Sequence, residues 1–259
     1  GGLRRLRSKA GQLASMSLLF FFMAFNNTII DSTKDTIVIT AAGGAQQIPF
    51  LTLYAVLPLS FAIVAFFTFL SNRYRRALVF NIILGSFIAF FALFGLVLYP
   101  QHHTLHLHGL ADSLEAILPA GLIGLTSAIR NWSFTLFYCM SELWGDVILS
   151  LNFWMLANAT TTLEDSGLLY PLFGLGANVA QLAAGRVLKG LPQVMGEGST
   201  YMAQLQVLMG IVVASGAAIF LVHWWISANV PEIAGSGAEA AAAPERAGEG
   251  GREAGGEAD

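Results

Sequence analysis

Residues 117–163 read ILPAGLIGLTSAIRNWSFTLFYCMSELWGDVILSLNFWMLANATTTL, an almost unbroken apolar run that carries three charges, Arg130, Glu142 and Asp146. An ionised side chain at the centre of a membrane helix costs about 2.5–3.5 kcal/mol or more, so charges kept at such depth pair with one another or line a polar path. At 3.6 residues per turn, Asn131, Thr135, Tyr138, Glu142 and Asp146 fall on one face of a helix, with Arg130 beside its upper end. The stripe is read as either a helix-packing device or the wall of a substrate route. One helix over the whole run would be about 70 Å long against a hydrocarbon core of about 30 Å. The run is therefore one long tilted helix or two spans that meet near Trp144 and Gly145.

The rest of the chain has the same character. Of 259 residues, 55% are hydrophobic and 11% charged, with a mean hydropathy of +0.64. A soluble surface cannot be built from that composition, and repeated apolar windows of about 20 residues point to an all-α membrane protein rather than a barrel. The formal charge of −3 is dominated by the segment from Gly235, with six acids against two arginines. The remaining body has no basic excess that would mark a nucleic-acid surface. The single cysteine, Cys139, excludes an internal disulfide and a cysteine-based metal site.

Residues 1–12 form a basic lead-in with Arg4, Arg5, Arg7 and Lys9. Six spans are expected within a bundle over 13–228, at about 13–40, 49–70, 78–99, 118–162, 168–189 and 201–226. Arg73, Arg75 and Arg76 follow the second span and agree with the lead-in on which side faces the cytoplasm or its equivalent. In the first span Asn27, Asp31, Lys34 and Asp35 share a face if the helix continues past Ile30; otherwise they form a surface loop. Pro58 should kink the second span. His102, His103, His106 and His108 lie in a stretch expected to be a polar surface loop, with no trustworthy metal spacing. Gly174, Asn178, Gln181 and Gly185 suit close helix packing. Residues 229–259, rich in Ala, Gly and Glu, contain too little apolar material to bury a core and are expected to be disordered.

Several phrases together resemble the ATP/ADP translocase family of plastids and intracellular bacteria. They are Phe25-Asn26-Asn27-Thr28-Ile29 with Thr33-Lys34-Asp35, Ile48-Pro49-Phe50-Leu51, Arg130-Asn131-Trp132-Ser133-Phe134, Ser141-Glu142-Leu143-Trp144-Gly145 and Tyr170 to Asn178. The resemblance implies six helices forming the N-terminal half of a major-facilitator-like fold, with the 118–162 run as one extended fourth helix. It implies exchange of ATP for ADP across a bilayer, in a plastid inner envelope or a bacterial inner membrane, without a cofactor and without enzymatic turnover. The chain has no Gly-x-x-x-x-Gly-Lys-Ser/Thr loop for ATP hydrolysis. The matching positions make Lys34 and Glu142 the principal substrate residues, and the family commonly has an arginine where this chain has Asp31.

The expected substrate set is Lys34, Asp35, Arg130, Asn131, Tyr138, Glu142 and Asn178. Lys34 is a mobile point charge for phosphate, and Arg130 a bidentate clamp. Glu142 would hold Lys34 until nucleotide arrives, and Tyr138 offers a ring for the base. Transport of another nucleotide or NAD, and a half-length structural module, are the competing expectations. The family's second half has no counterpart in this sequence, so alternating access would need that half or a second copy.

Overall fold

The structure, a computed structural model, describes residues 10–196 and 198–230, and is helical throughout its long elements. The basic lead-in over 1–9 and the Ala/Gly/Glu segment from 231 lie outside the described residues. The helices are α1 (Ala10–Thr40), α2 (Gly44–Arg73), α3 (Arg76–Leu98), α4 (His102–Leu105), α5 (His108–Glu115), α6 (Ile123–Arg130), α7 (Trp132–Thr160), α8 (Leu163–Met195) and α9 (Tyr201–Asn229). Among the described residues α1, α2, α3, α7 and α9 are long and apolar enough to cross a membrane, which makes this an all-α, multi-pass membrane protein. The shorter apolar stretch Ala120–Arg130 precedes α7, and α8 is long but less apolar.

The long helices run alternately up and down. Gln12 near the start of α1 donates to the Thr160 carbonyl at the end of α7 (2.7 Å), and at the opposite end Asn131 donates to the Ala42 carbonyl just past α1 (3.0 Å). Tyr99 and Tyr201 stand edge to face at that second end.

Lipid is as apolar as leucine, so helices in a bilayer associate through shape and polar bonds rather than through water exclusion. Both devices are visible around α1. Trp144, fully buried, donates its indole N–H to the Met23 carbonyl (3.1 Å), and Asn26 donates to the Val212 carbonyl of α9 (3.1 Å). Phe87, Phe91, Phe94 and Phe137 fill the space between α3 and α7 in offset and edge contacts. On the other side α8 packs so closely that a Cβ on Gly176 would lie 2.9 Å from the Ser17 carbonyl oxygen. By contrast α2 leaves Tyr54, Phe61 and Phe69 exposed, as a helix facing lipid does.

Three helices widen locally into i→i+5 turns. In α2 the wide turn spans Leu51–Val56, immediately before Pro58, whose missing N–H and bulky ring cannot be accommodated by a regular preceding turn. The expected disturbance at Pro58 is thus a widening upstream of it. In α7 the wide segment spans Trp144–Asn152, so the chain neither breaks into two spans there nor keeps its 3.6-residue phase.

The break falls instead at Asn131, where φ is −99° and ψ 43°. The expected single helix over 118–162 is therefore two helices, with α7 starting at Trp132. Its length of 29 residues corresponds to about 43 Å, closer to a tilted span than the undivided run would have been. The turn Ala41–Gly43 packs under this break: Gly43 has φ +98°, and a Cβ there would lie 2.4 Å from Ser127.

Gly176→Val should lower the thermal midpoint of the detergent-solubilised chain by the equivalent of about 1–3 kcal/mol, because backbone on α1 cannot move aside. Gly174→Val, with nothing within 4 Å of its added carbon, should cost clearly less. Equal losses would show that α1 and α8 do not meet as described.

Candidate functional site

The alternative of a short first helix followed by a loop is settled by α1, which runs unbroken through Asp31, Lys34 and Asp35. Lys34 is consequently carried into the bundle, with its side chain 7% exposed. Its ammonium lies 2.7 Å from Oε1 of Glu142 on α7, pairs with Asp31 one turn back, and is 4.0 Å from Asp35. It also sits 5.2 Å from the centroid of the Tyr138 ring, one turn before Glu142. Lys34, Asp35, Tyr138 and Glu142 are thus brought together from two helices.

The cluster is lopsided in charge and in exposure. One buried ammonium faces three carboxylates, and these are the accessible members: the side chains of Asp31, Asp35 and Glu142 are 54%, 51% and 36% exposed. The buried cation is thus neutralised by carboxylates that reach open space, and removing them all would leave an uncompensated buried charge costing about 3–5 kcal/mol.

Arg130 stands elsewhere. It ends α6, and its guanidinium binds Asp112 (2.7 Å) and Glu115 (2.8 Å) of α5. Its backbone carbonyl accepts from the Leu107 amide (3.1 Å), and Thr126 donates to Glu115 (3.1 Å). The expected phosphate clamp is therefore a fastener for the segment between α3 and α7. Asp112 and Glu115 were overlooked in the sequence, although their i, i+3 spacing puts both on one helix face opposite a lone arginine. Asn131 is held by the Ala42 carbonyl, and Asp146 is exposed beyond the point where α7 widens.

Asn178 is not part of the cluster. It is exposed on α8 two residues from Gly176, which abuts Ser17. Ser17 and Lys34 are separated by roughly 25 Å along α1.

The expected histidine loop is a folded strap comprising α4 and α5. His106 is buried and shares a hydrogen bond with Ser133 Oγ at the start of α7 (2.8 Å). Burial, together with His102, His108 and His103 nearby, lowers its pKa to about 4. Among the described residues no group of three or more His, Cys, Asp and Glu side chains is arranged to hold a metal ion.

A family model described as TLC ATP/ADP transporter matches residues 7–246. The chain is 43% identical over 220 residues to ADP,ATP carrier protein 1 of Chlamydia muridarum, covering 83% of this chain and 42% of that protein. It is 40% identical over 225 residues to ADP,ATP carrier protein 2, chloroplastic, of Arabidopsis thaliana, covering 85% and 36%. The Plastidic ATP/ADP-transporter of Solanum tuberosum is 40% identical over 207 residues, covering 78% and 33%. The chain thus spans between a third and about two-fifths of the length of these relatives. No solved structure matches it.

The strap's stability should depend on pH with a definite sign. A folded-state pKa of about 4, against an ordinary 6.5, means that the unfolded chain binds the proton first as pH falls. Stability from His106 is complete above about 6.5 and declines toward about 4. Melting curves from pH 7.5 to 4.5 should therefore fall more steeply for the native chain than for His106→Gln, which keeps a polar group without titrating. Parallel curves would refute this.

Proposed function

This chain belongs to the TLC ATP/ADP transporter family, and from that premise we propose that it forms the N-terminal six-span part of an adenine nucleotide exchanger, with Lys34 as its phosphate contact. The observation that carries the proposal is the Lys34–Glu142 pair: a buried cation held by a carboxylate on another helix, with the acidic partners open to the outside of the bundle. ATP and ADP are polyanions, so a site that binds and then releases them needs positive charge that is already neutralised when empty.

In the proposed cycle the nucleotide's phosphate oxygens replace Glu142 and Asp31 around the Lys34 ammonium. The displaced carboxylates turn toward water, and their return expels the product. Tyr138 keeps a ring face beside the ammonium throughout, which limits its freedom while the anions exchange. Arg130 acts at a distance, by fixing the strap beside the end of α1. The opposite wall of the path belongs to a second six-helix half, or to a second copy, with rocking of the two around a central site as the transport step. Nucleotide is cargo here and is not hydrolysed.

Asp31 sets this chain apart from the arginine expected at its position, and leaves the cluster with more acid than the ammonium can balance. Lys34→Gln should weaken ATP binding by about 10- to 100-fold, the equivalent of losing one or two charge-assisted hydrogen bonds. Asp31→Asn should strengthen it, and Asp31→Arg more so, in equilibrium binding of labelled ATP to the detergent-solubilised chain. If Lys34→Gln binds ATP as well as the native chain, the phosphate role is wrong. Labelled GTP, CTP and NAD in the same assay separate an adenine nucleotide carrier from one for another nucleotide.

A further inference from the structure

At the end of α1 furthest from the N-terminus lies a cavity of about 270 Å³, bounded by Ile37 of α1 and Ala41 just past it, the strap, and the first turn of α7. Its character comes from Tyr99, His102, His106, His108, Asn131 and Phe134. Among the described residues no lysine, arginine, aspartate or glutamate lines it. The rings are already arranged face to face or edge on: His102 stacks on Tyr99 at 5.1 Å, and His106 meets Phe134 edge on at 4.6 Å.

Two polar side chains on this wall offer acceptor atoms. His102 Nδ1 lies 2.5 Å from the Tyr99 carbonyl, an acceptor only, so Nδ1 is the donor and Nε2 is the acceptor of the neutral ring. Asn131 uses one amide N–H on the Ala42 carbonyl, which leaves Oδ1 as an acceptor beside the second N–H as a donor. An aromatic slot with acceptor atoms on His102 and Asn131, lined by rings rather than by lysine or arginine, suits a flat heterocycle bearing an amino group and suits phosphate poorly. The volume is below the roughly 300–1,000 Å³ of pockets that enclose a whole drug-sized ligand, and fits one ring system.

We propose that this cavity is a base site, which receives the amino-purine ring of a nucleotide whose phosphates reach toward Lys34. The proposal rests on the transport reading above and adds the other end of the ligand. Lys34 and Ile37 stand at i and i+3 on α1 with Ala41 just past its end, and Tyr138 and Phe134 stand at i and i−4 on α7 with Asn131 just before its start. The same two helix faces therefore carry the ion pair and the cavity. Their separation along α1 is about 5–10 Å, within the reach of a sugar and its phosphates. Stacking on a platform of this kind strengthens binding for any base and needs no charge.

Two probes divide the ligand: adenosine carries base and sugar without phosphate, and inorganic tripolyphosphate carries charge without a base. In the 259-residue chain in nanodiscs, adenosine should bind and should displace labelled ATP, with inosine, which lacks the amino group, binding more weakly. His102→Ala should weaken adenosine binding about tenfold and leave tripolyphosphate binding unchanged, while Lys34→Gln should do the reverse. His102→Phe keeps a ring without the acceptor and should recover part of the loss. Where His102→Ala fails to fold, His108→Ala on the exposed rim carries the same comparison. Absence of adenosine binding, or equal adenosine affinity in native, His102→Ala and His108→Ala chains, overturns the base site. Adenosine binding without tripolyphosphate binding supports the base site and removes instead the phosphate role of Lys34.

Discussion

A buried ammonium must have partners, and the site follows from where Lys34 finds them. It sits on the helix that α7, α8 and α9 all pack against, so neither the helix nor the lysine can turn away without disturbing the Trp144 and Asn26 bonds to backbone carbonyls. Glu142 reaches it from α7 at 2.7 Å, and the two acids on α1 complete the shell. Such a pair contributes little net stability, because desolvation cancels much of the attraction. The proposed exchange of one anion for another gives such a pair a use in a setting where charges are costly.

Around this centre the fold separates rigid and adjustable parts. The aromatic packing of α3 against α7 and the close contact of α8 on α1 fix the two helices that supply the ion pair. The widened turn in α7 begins two residues after Glu142, and the break at Asn131 lies three turns before it. Irregular turns of this kind often mark functional positions in helices. Here they leave a regular segment, Trp132–Leu143, that presents Phe134, Tyr138 and Glu142 toward α1. The strap, fastened by Arg130 to Asp112 and Glu115 and by His106 to Ser133, covers one end of that segment.

Much of this was legible in the chain. Lys34 and Glu142 stand out because ionised residues in apolar helices are few; helical spacing puts Glu142 on a polar stripe, and Lys34 on a second one once α1 is known to continue past Ile30. What spacing could not reveal was anything that depends on contacts distant in sequence. The helix end at Arg130 is set by Leu107 and Ala42, through hydrogen bonds that no local pattern announces. Arg130 looked like a ligand clamp because its two acids lie in a segment that read as surface loop. Asn178 looked like a site residue by its phrase, but the small residue beside it meets α1 at Ser17, far from Lys34. Asp146 leaves the stripe because α7 widens, and a periodicity of 3.6 assumes that it does not.

The most direct measurement is a double-mutant cycle on labelled ATP affinity with Lys34→Gln, Glu142→Gln and the two combined. If Glu142 acts as the counter-ion that nucleotide displaces, Glu142→Gln alone should bind ATP at least as tightly as the native chain, and the double variant should be as weak as Lys34→Gln. A loss of affinity in Glu142→Gln that persists undiminished when Lys34 is also changed would contradict the ion pair as the centre of the site.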